Sequence, residues 1–202
     1  MILKPEKTIA RLESGTPTAV AAIGDSLTTG WMAPKGYIDF LREWFRERYP
    51  ATPVTIIASG IPGDTADFGR IRVDRSILHQ SPDCVLIQYA LNDAAYGFTP
   101  EQFKDNMQAI IDRVKNAGDA DIVLVTAGHV GDIGERHFAE EYYDIIEHLG
   151  ESNGLPVARV HEHWKKTIAS GVHYENLVQF DLVHPTVAGY RVMAEAIIEL
   201  FS

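Results

Sequence analysis

Ala19-Val20-Ala21-Ala22-Ile23-Gly24-Asp25-Ser26-Leu27-Thr28 decides the fold. Five consecutive apolar residues read as a strand buried on both faces, and the glycine, aspartate and serine behind them read as a turn. The same order recurs along the chain. Apolar runs at 54–58, 85–89 and 122–125, with a short one at 156–158, read as further strands. Between them lie amphipathic stretches at 37–49, 67–78, about 99–117 and about 135–150, and a last one at about 186–200. In the first, Leu41, Trp44, Phe45 and Arg48 recur at helical spacing. Thr99-Pro100-Glu101-Gln102 is a helix start with a reciprocal cap, and Gly118 is a stop. Buried strands alternating with helices predict an α/β fold of three layers, α/β/α, around a five-stranded, mostly parallel sheet.

Ligands of such sheets bind beyond the carboxyl ends of the strands. Ser26 follows the first strand, Gly60 and Gly63 the second, and Asn92 and Asp93 the third, so these polar clusters share one edge. The 202 residues suit one domain covering 1–202. A net charge of -10 argues against nucleic acid and anionic membrane as main partners. The single cysteine, Cys84, opens an apolar run and reads as a buried hydrophobe that cannot form an intrachain disulfide. Residues 1–7 carry no continuous apolar segment, and no run approaches the roughly 20 residues of a membrane span. These features predict a cytoplasmic protein without membrane insertion. They leave its oligomeric state open.

A serine nucleophile needs a base, and the base an orienting acid. Ser26 sits at a strand-to-helix turn. Asp181-Leu182-Val183-His184-Pro185 offers a carboxylate three positions before an imidazole, in a short loop ahead of the last helix. A carboxylate on one ring nitrogen leaves the other free to take the serine proton. The turn is neither the Gly-x-Ser-x-Gly elbow, because Thr28 holds the last place, nor a Walker A loop. Without a Gly-x-Gly-x-x-Gly turn, dinucleotide binding is not expected either.

Four segments together resemble the SGNH (GDSL) hydrolase family. Gly24-Asp25-Ser26-Leu27 is similar to its nucleophile block and Gly60-Ile61-Pro62-Gly63-Asp64-Thr65 to its glycine block. Ala90-Leu91-Asn92-Asp93 is similar to its asparagine block, and the segment 181–185 to its acid–base block. The resemblance runs from about 20 to 190. It implies a flavodoxin-like fold and a serine esterase that needs no cofactor. Ser26 would be the nucleophile, His184 the general base and acid, and Asp181 its orienting acid. The oxyanion would be held by Ser26 N–H, Gly63 N–H and the Asn92 side chain. The expected partner is a small ester, an acetylated carbohydrate or a short-chain or lipid-derived one. An acyltransferase using the same triad and a non-catalytic binding module are the alternatives. Two departures bear on pocket shape: Ala90 replaces the usual glycine and disfavours positive φ, and Ala58-Ser59 precedes the glycine block where relatives often carry asparagine.

Asp25, Asp64 and Asp93 read as structural, each accepting backbone N–H groups in a turn. His161 and His163 lie two apart and cannot share a helix face. No histidine spacing matches a zinc motif, so no metal is expected. Trp31, Met32, Tyr96 and Phe98 follow catalytic blocks and are candidates to line the substrate pocket. His129, in the Gly-rich loop 127–134, and the segment 176–180 are candidates for its border.

Overall fold

The computed structural model describes residues 2–130 and 138–202, without the Phe138 side chain. Five parallel strands form one sheet in the order β2-β1-β3-β4-β5. They are β1 (Thr18–Gly24), β2 (Val54–Gly60), β3 (Cys84–Gln88), β4 (Asp121–Val125) and β5 (Val157–Ala158). Fully buried strands explain the unbroken apolar runs: Val20 to Ile23 and Cys84 to Ile87 are entirely covered. All strand pairs are parallel; β1 pairs residue for residue with β2 from Thr18 opposite Val54 to Gly24 opposite Gly60.

Helices cover the sheet in two rows. One contains α3 (Tyr37–Arg48), α9 (Val187–Ile198) and α8 (Val160–Ala169), which pack on one another in that order. The other contains α4 (Ala66–Ser76), α6 (Pro100–Ala117) and α7 (Phe138–Asn153). The predicted start of α6 is present in full: Gln102 N–H donates to Thr99 Oγ1 at 3.2 Å, and Thr99 N–H to Gln102 Oε1 at 2.8 Å. Thr186 caps α9 one way, its Oγ1 accepting the N–H of Gly189 at 3.3 Å.

The structure adds elements the apolar pattern does not announce: α1 (Glu6–Glu13), α2 (Ser26–Thr29), α5 (Leu91–Ala95) and α8. It also shortens the helix expected at 67–78, which stops at Ser76 and gives way to a 3-10 turn, Leu78–Gln80, holding His79. The start expected at 135 and the end of the 127–134 loop lie outside the described residues.

The strand order reverses between β1 and β3, since β1 leads outward to β2 and β3 to β4. Such a switch point opens a crevice at the carboxyl edge of an open parallel sheet. Ser26 leaves β1 on one side of it, and Asn92 follows β3 on the other. None of the described helices is long and apolar enough to cross a membrane.

Candidate active site

Ser26 opens a single helical turn directly after β1. Asp25 caps it, its Oδ1 accepting the N–H of Leu27 at 2.8 Å. The turn closes at Gly30, which adopts φ +72°, with Gly30 N–H donating to Leu27 O (3.2 Å) and Trp31 N–H to Ser26 O (3.0 Å). This paired closure needs a left-handed residue at Gly30. The turn is held from outside as well. A Cβ on Gly60 would lie 2.6–2.8 Å from backbone atoms of Asp25, Thr28 and Thr29, so only glycine lets β2 approach so closely.

The acid and base come from one short loop. His184 Nε2 lies 2.9 Å from Ser26 Oγ, and His184 Nδ1 lies 2.6 Å from Asp181 Oδ2. The other carboxylate oxygen, Oδ1, accepts the N–H groups of Val183 (3.0 Å) and His184 (2.9 Å). One carboxylate thus shapes the loop and orients the ring. Partial burial works against the Asp181 charge, but those two N–H groups and the imidazole outweigh it and hold the carboxyl below its usual range. Leu182 takes φ +59°, an uncommon value for a side-chain-bearing residue, and Tyr174 donates to its carbonyl at 2.7 Å. Gln179 fastens this loop to the nucleophile turn: its Nε2 donates to Trp31 O (3.0 Å) and Pro185 O (2.8 Å), while its N–H donates to His184 O (2.8 Å).

The glycine block forms a four-residue turn, 61–64, closed by Asp64 N–H to Ile61 O at 3.0 Å. Pro62 and Gly63 occupy its centre, and Gly63 takes φ +79°, as a turn with proline second and glycine third requires. Ile61 N–H donates to Gly24 O at 3.0 Å, tying the turn to the end of β1. Asn92, at the start of α5, donates from Nδ2 to Asp64 O at 2.8 Å. One of its two amide hydrogens is thus committed and the other remains. Ala90 adopts φ 155° and ψ −53° and is fully buried. The chain enters this loop through a conformation that favours glycine, with a Cβ in place.

Beneath these segments lies a buried polar layer. Asp25 Oδ2 accepts from Gln88 Nε2 (3.3 Å), and Gln88 Oε1 accepts from Thr28 Oγ1 (3.0 Å), whose oxygen lies 3.1 Å from Tyr37 Oη. Burial pushes the Asp25 carboxyl up to about 6. Asp93 Oδ1 accepts the N–H of Ala66 at 2.9 Å, while its buried Oδ2 has no hydrogen-bond partner; burial pushes this carboxyl up to about 7. The expectation of backbone N–H partners describes Asp25 and Asp93 but not the Asp64 side chain. Its Oδ2 receives Arg72 Nε (2.7 Å) and the Tyr89 hydroxyl (3.0 Å) instead.

The structure brings Ser26, Asp181 and His184 into one hydrogen-bonded line, and links Asn92 to the glycine-block turn. Trp31, Met32 and Tyr96 carry exposed side chains, with the Tyr96 hydroxyl 3.4 Å from where a Gly63 Cβ would stand. Phe180, just before Asp181, is 82 % exposed. Phe98 is different. Its N–H bonds Asp93 O (3.0 Å) and its carbonyl accepts from Tyr142, so it closes the segment after α5. His129 is partly buried, its ring 6.5 Å from that of Tyr174. Tyr174 in turn donates to Leu182 O in the acid–base loop. His161 lies buried on α8, its Nδ1 2.9 Å from Thr126 Oγ1 and its ring stacked on Tyr143. Among the described residues no group of His, Cys, Asp and Glu side chains could hold a metal ion.

Comparisons with known proteins bear on the family and the fold. Residues 22–192 match the GDSL-like lipase/acylhydrolase family. An arylesterase of Vibrio mimicus is 31% identical over 131 residues, 64% of each chain. An acetylxylan esterase of Geobacillus stearothermophilus is 20% identical over 209 residues, 92% of this chain and 94% of that one. The crystal structure of an acetylxylan esterase from that organism superposes with a TM-score of 0.81 at 18% identity, covering 92% of this chain and 94% of that one. The chain belongs to the GDSL-like lipase/acylhydrolase family. At that level it is a carboxylic ester hydrolase.

Proposed function

We propose that the protein hydrolyses a small acyl ester through an acyl-serine intermediate. The observation that carries this reading is the 2.9 Å approach of His184 Nε2 to Ser26 Oγ, with Asp181 behind the ring. Ser26 Oγ bonds to the carbonyl carbon as its proton passes to His184 Nε2. The tetrahedral intermediate then expels the alcohol oxygen, which takes that proton back. Water repeats the sequence on the acyl-serine: His184 accepts its proton, the carboxylic acid departs, and Ser26 recovers its hydrogen. Asp181, kept ionised, fixes the tautomer with Nδ1–H toward itself and stabilises the imidazolium. The N–H groups of Ser26 and Gly63 and the uncommitted amide hydrogen of Asn92 receive the oxyanion.

Two substrate classes agree with the relatives: acetyl esters of carbohydrates, by likeness to the acetylxylan esterase, and short-chain or aryl esters, by likeness to the arylesterase. The exposed Trp31, Met32, Tyr96 and Phe180 suit an apolar or sugar ring lying across the mouth of the site. Hydrolysis of p-nitrophenyl acetate, butyrate and octanoate by the wild type and by Ser26→Ala tests the reading. Activity that disappears in Ser26→Ala supports it, and the chain-length profile sizes the acyl site. Equal activity in both proteins removes Ser26 as nucleophile.

A further inference from the structure

Arg72, on α4, is not part of any of the four motif segments, yet it touches two of them and the residue directly before a third. Its side chain is 14% exposed. Nε donates to Asp64 Oδ2 at 2.7 Å and Nη1 to Ser59 Oγ at 2.7 Å. Nη2 lies 3.0 Å from each of Gly24 O, Ser59 O and the Tyr89 hydroxyl. Gly24 belongs to the nucleophile block, Asp64 to the glycine block, and Tyr89 directly precedes the asparagine block. The Tyr89 hydroxyl in turn donates to Asp64 Oδ2 at 3.0 Å. A guanidinium offers five N–H donors in a fixed plane, and here that plane is filled with acceptors. A lysine ammonium, with three donors on one atom, cannot satisfy the same set.

Arg72 reaches none of Ser26, His184 and Asp181. What it fixes is Asp64. The carboxylate of Asp64 is neutralised and held by Arg72 and Tyr89, and the carbonyl of the same residue accepts Asn92 Nδ2 at 2.8 Å. The amide of Asn92 is planar, so the direction of its committed N–H sets that of the other. Gly63 is tied down by a shorter route, through Ile61 N–H to Gly24 O, a carbonyl that Arg72 Nη2 also contacts. From this chain of contacts we infer that Arg72 is a positioning residue for transition-state stabilisation, aiming the Asn92 amide through Asp64. The inference rests on the esterase reading above.

A purely structural arginine would alter stability alone. A positioning arginine lowers kcat, spares KM, and loses its effect once Asn92 is gone. Arg72→Lys is expected to lower turnover of p-nitrophenyl acetate by about 10- to 100-fold, with KM within twofold. In an Asn92→Ala background the same change is expected to cost threefold or less, because the two residues act in series. The rate at which a fluorophosphonate probe labels Ser26 should follow the same pattern without depending on the natural substrate. A folded Arg72→Lys that labels and turns over at the wild-type rate overturns the inference. So does a loss confined to KM, or a full-sized loss in the Asn92→Ala background. If Arg72→Lys does not fold, Tyr89→Phe decides: a smaller fall in kcat, absent without Asn92, supports the inference, and unchanged turnover overturns it. A wild type that neither labels nor hydrolyses esters sinks the esterase reading and the inference with it, an outcome distinct from a silent Arg72 variant.

Discussion

Replacing Asp93 by asparagine should flatten the pH dependence of stability. Asp93 is fully buried, with Oδ1 bonded to Ala66 N–H and Oδ2 unpaired. Burial, helped by the nearby Asp25 and Asp64 charges, pushes its carboxyl from 3.8 up to about 7. For an acid raised in the folded state, the native protein holds a proton that the unfolded chain has released. Stability therefore falls as pH climbs from the unfolded value through the folded one, and the whole penalty is present above about 7. Each tenfold difference in proton affinity between the folded and unfolded chain is worth about 1.36 kcal/mol. Linkage over the window from pH 5 to 8 then gives a loss of roughly 2 to 3 kcal/mol from Asp93 alone. Asp25, raised to about 6, adds a smaller loss of the same sign. Urea unfolding followed by tryptophan fluorescence at several pH values gives the curve for both proteins. Other titrating groups are common to the two, so the difference between the curves isolates Asp93. Asp93→Asn should lose about 2 to 3 kcal/mol less than the wild type across that window. Parallel curves would falsify the claim that the fold holds a proton on this side chain.

Two further outcomes follow from the site. Asn92→Ala removes the one amide hydrogen left for the oxyanion and should lower turnover roughly 10²–10³-fold at unchanged fold, measured by steady-state kinetics and circular dichroism; a fall below tenfold removes Asn92 from that role. Gly60→Ala drives a methyl group into the backbone of the nucleophile turn, 2.6–2.8 Å from three of its atoms. It should cost about 1–3 kcal/mol in urea unfolding, whereas a neutral result would show that β2 and the turn can separate freely.

The sheet was legible because its central strands are buried on both faces, so Val20 to Ile23 and Cys84 to Ile87 carry no polar residue to confuse the pattern. The long helix at Pro100–Ala117 announced itself through its cap. The short helix Glu6–Glu13 did not, because it buries only Thr8 and Leu12 and offers no run of apolar positions. In Val160–Ala169 the charged residues mask Val160 and Trp164, which pack together with the buried His161. Ser26, Asp181, His184, Gly63 and Asn92 could be singled out because each sits in a short motif. Arg72 and Gln179 could not. The partners of Arg72 outside its own helix lie 8 to 48 positions away in four separate segments, and Gln179 reaches back 148 positions to Trp31. Such hubs are defined by convergence in space, which no local window of sequence contains. At Ala90 the chemistry of the residue foretold tension with positive φ, and the fold imposes that conformation all the same.

Ser26 and its base stand 158 positions apart, with the whole sheet between them. In the proposed mechanism the nucleophile turn leaves the ribosome before its base does, and its serine has no proton acceptor until the segment carrying His184 has emerged and packed beside β1. During synthesis the chain is therefore chemically silent at the very residue that will define it. In the proposed mechanism Ser26 gains its reactivity only once that long-range contact has formed, so a nucleophile-directed probe reports on how much of the population has packed His184 beside β1.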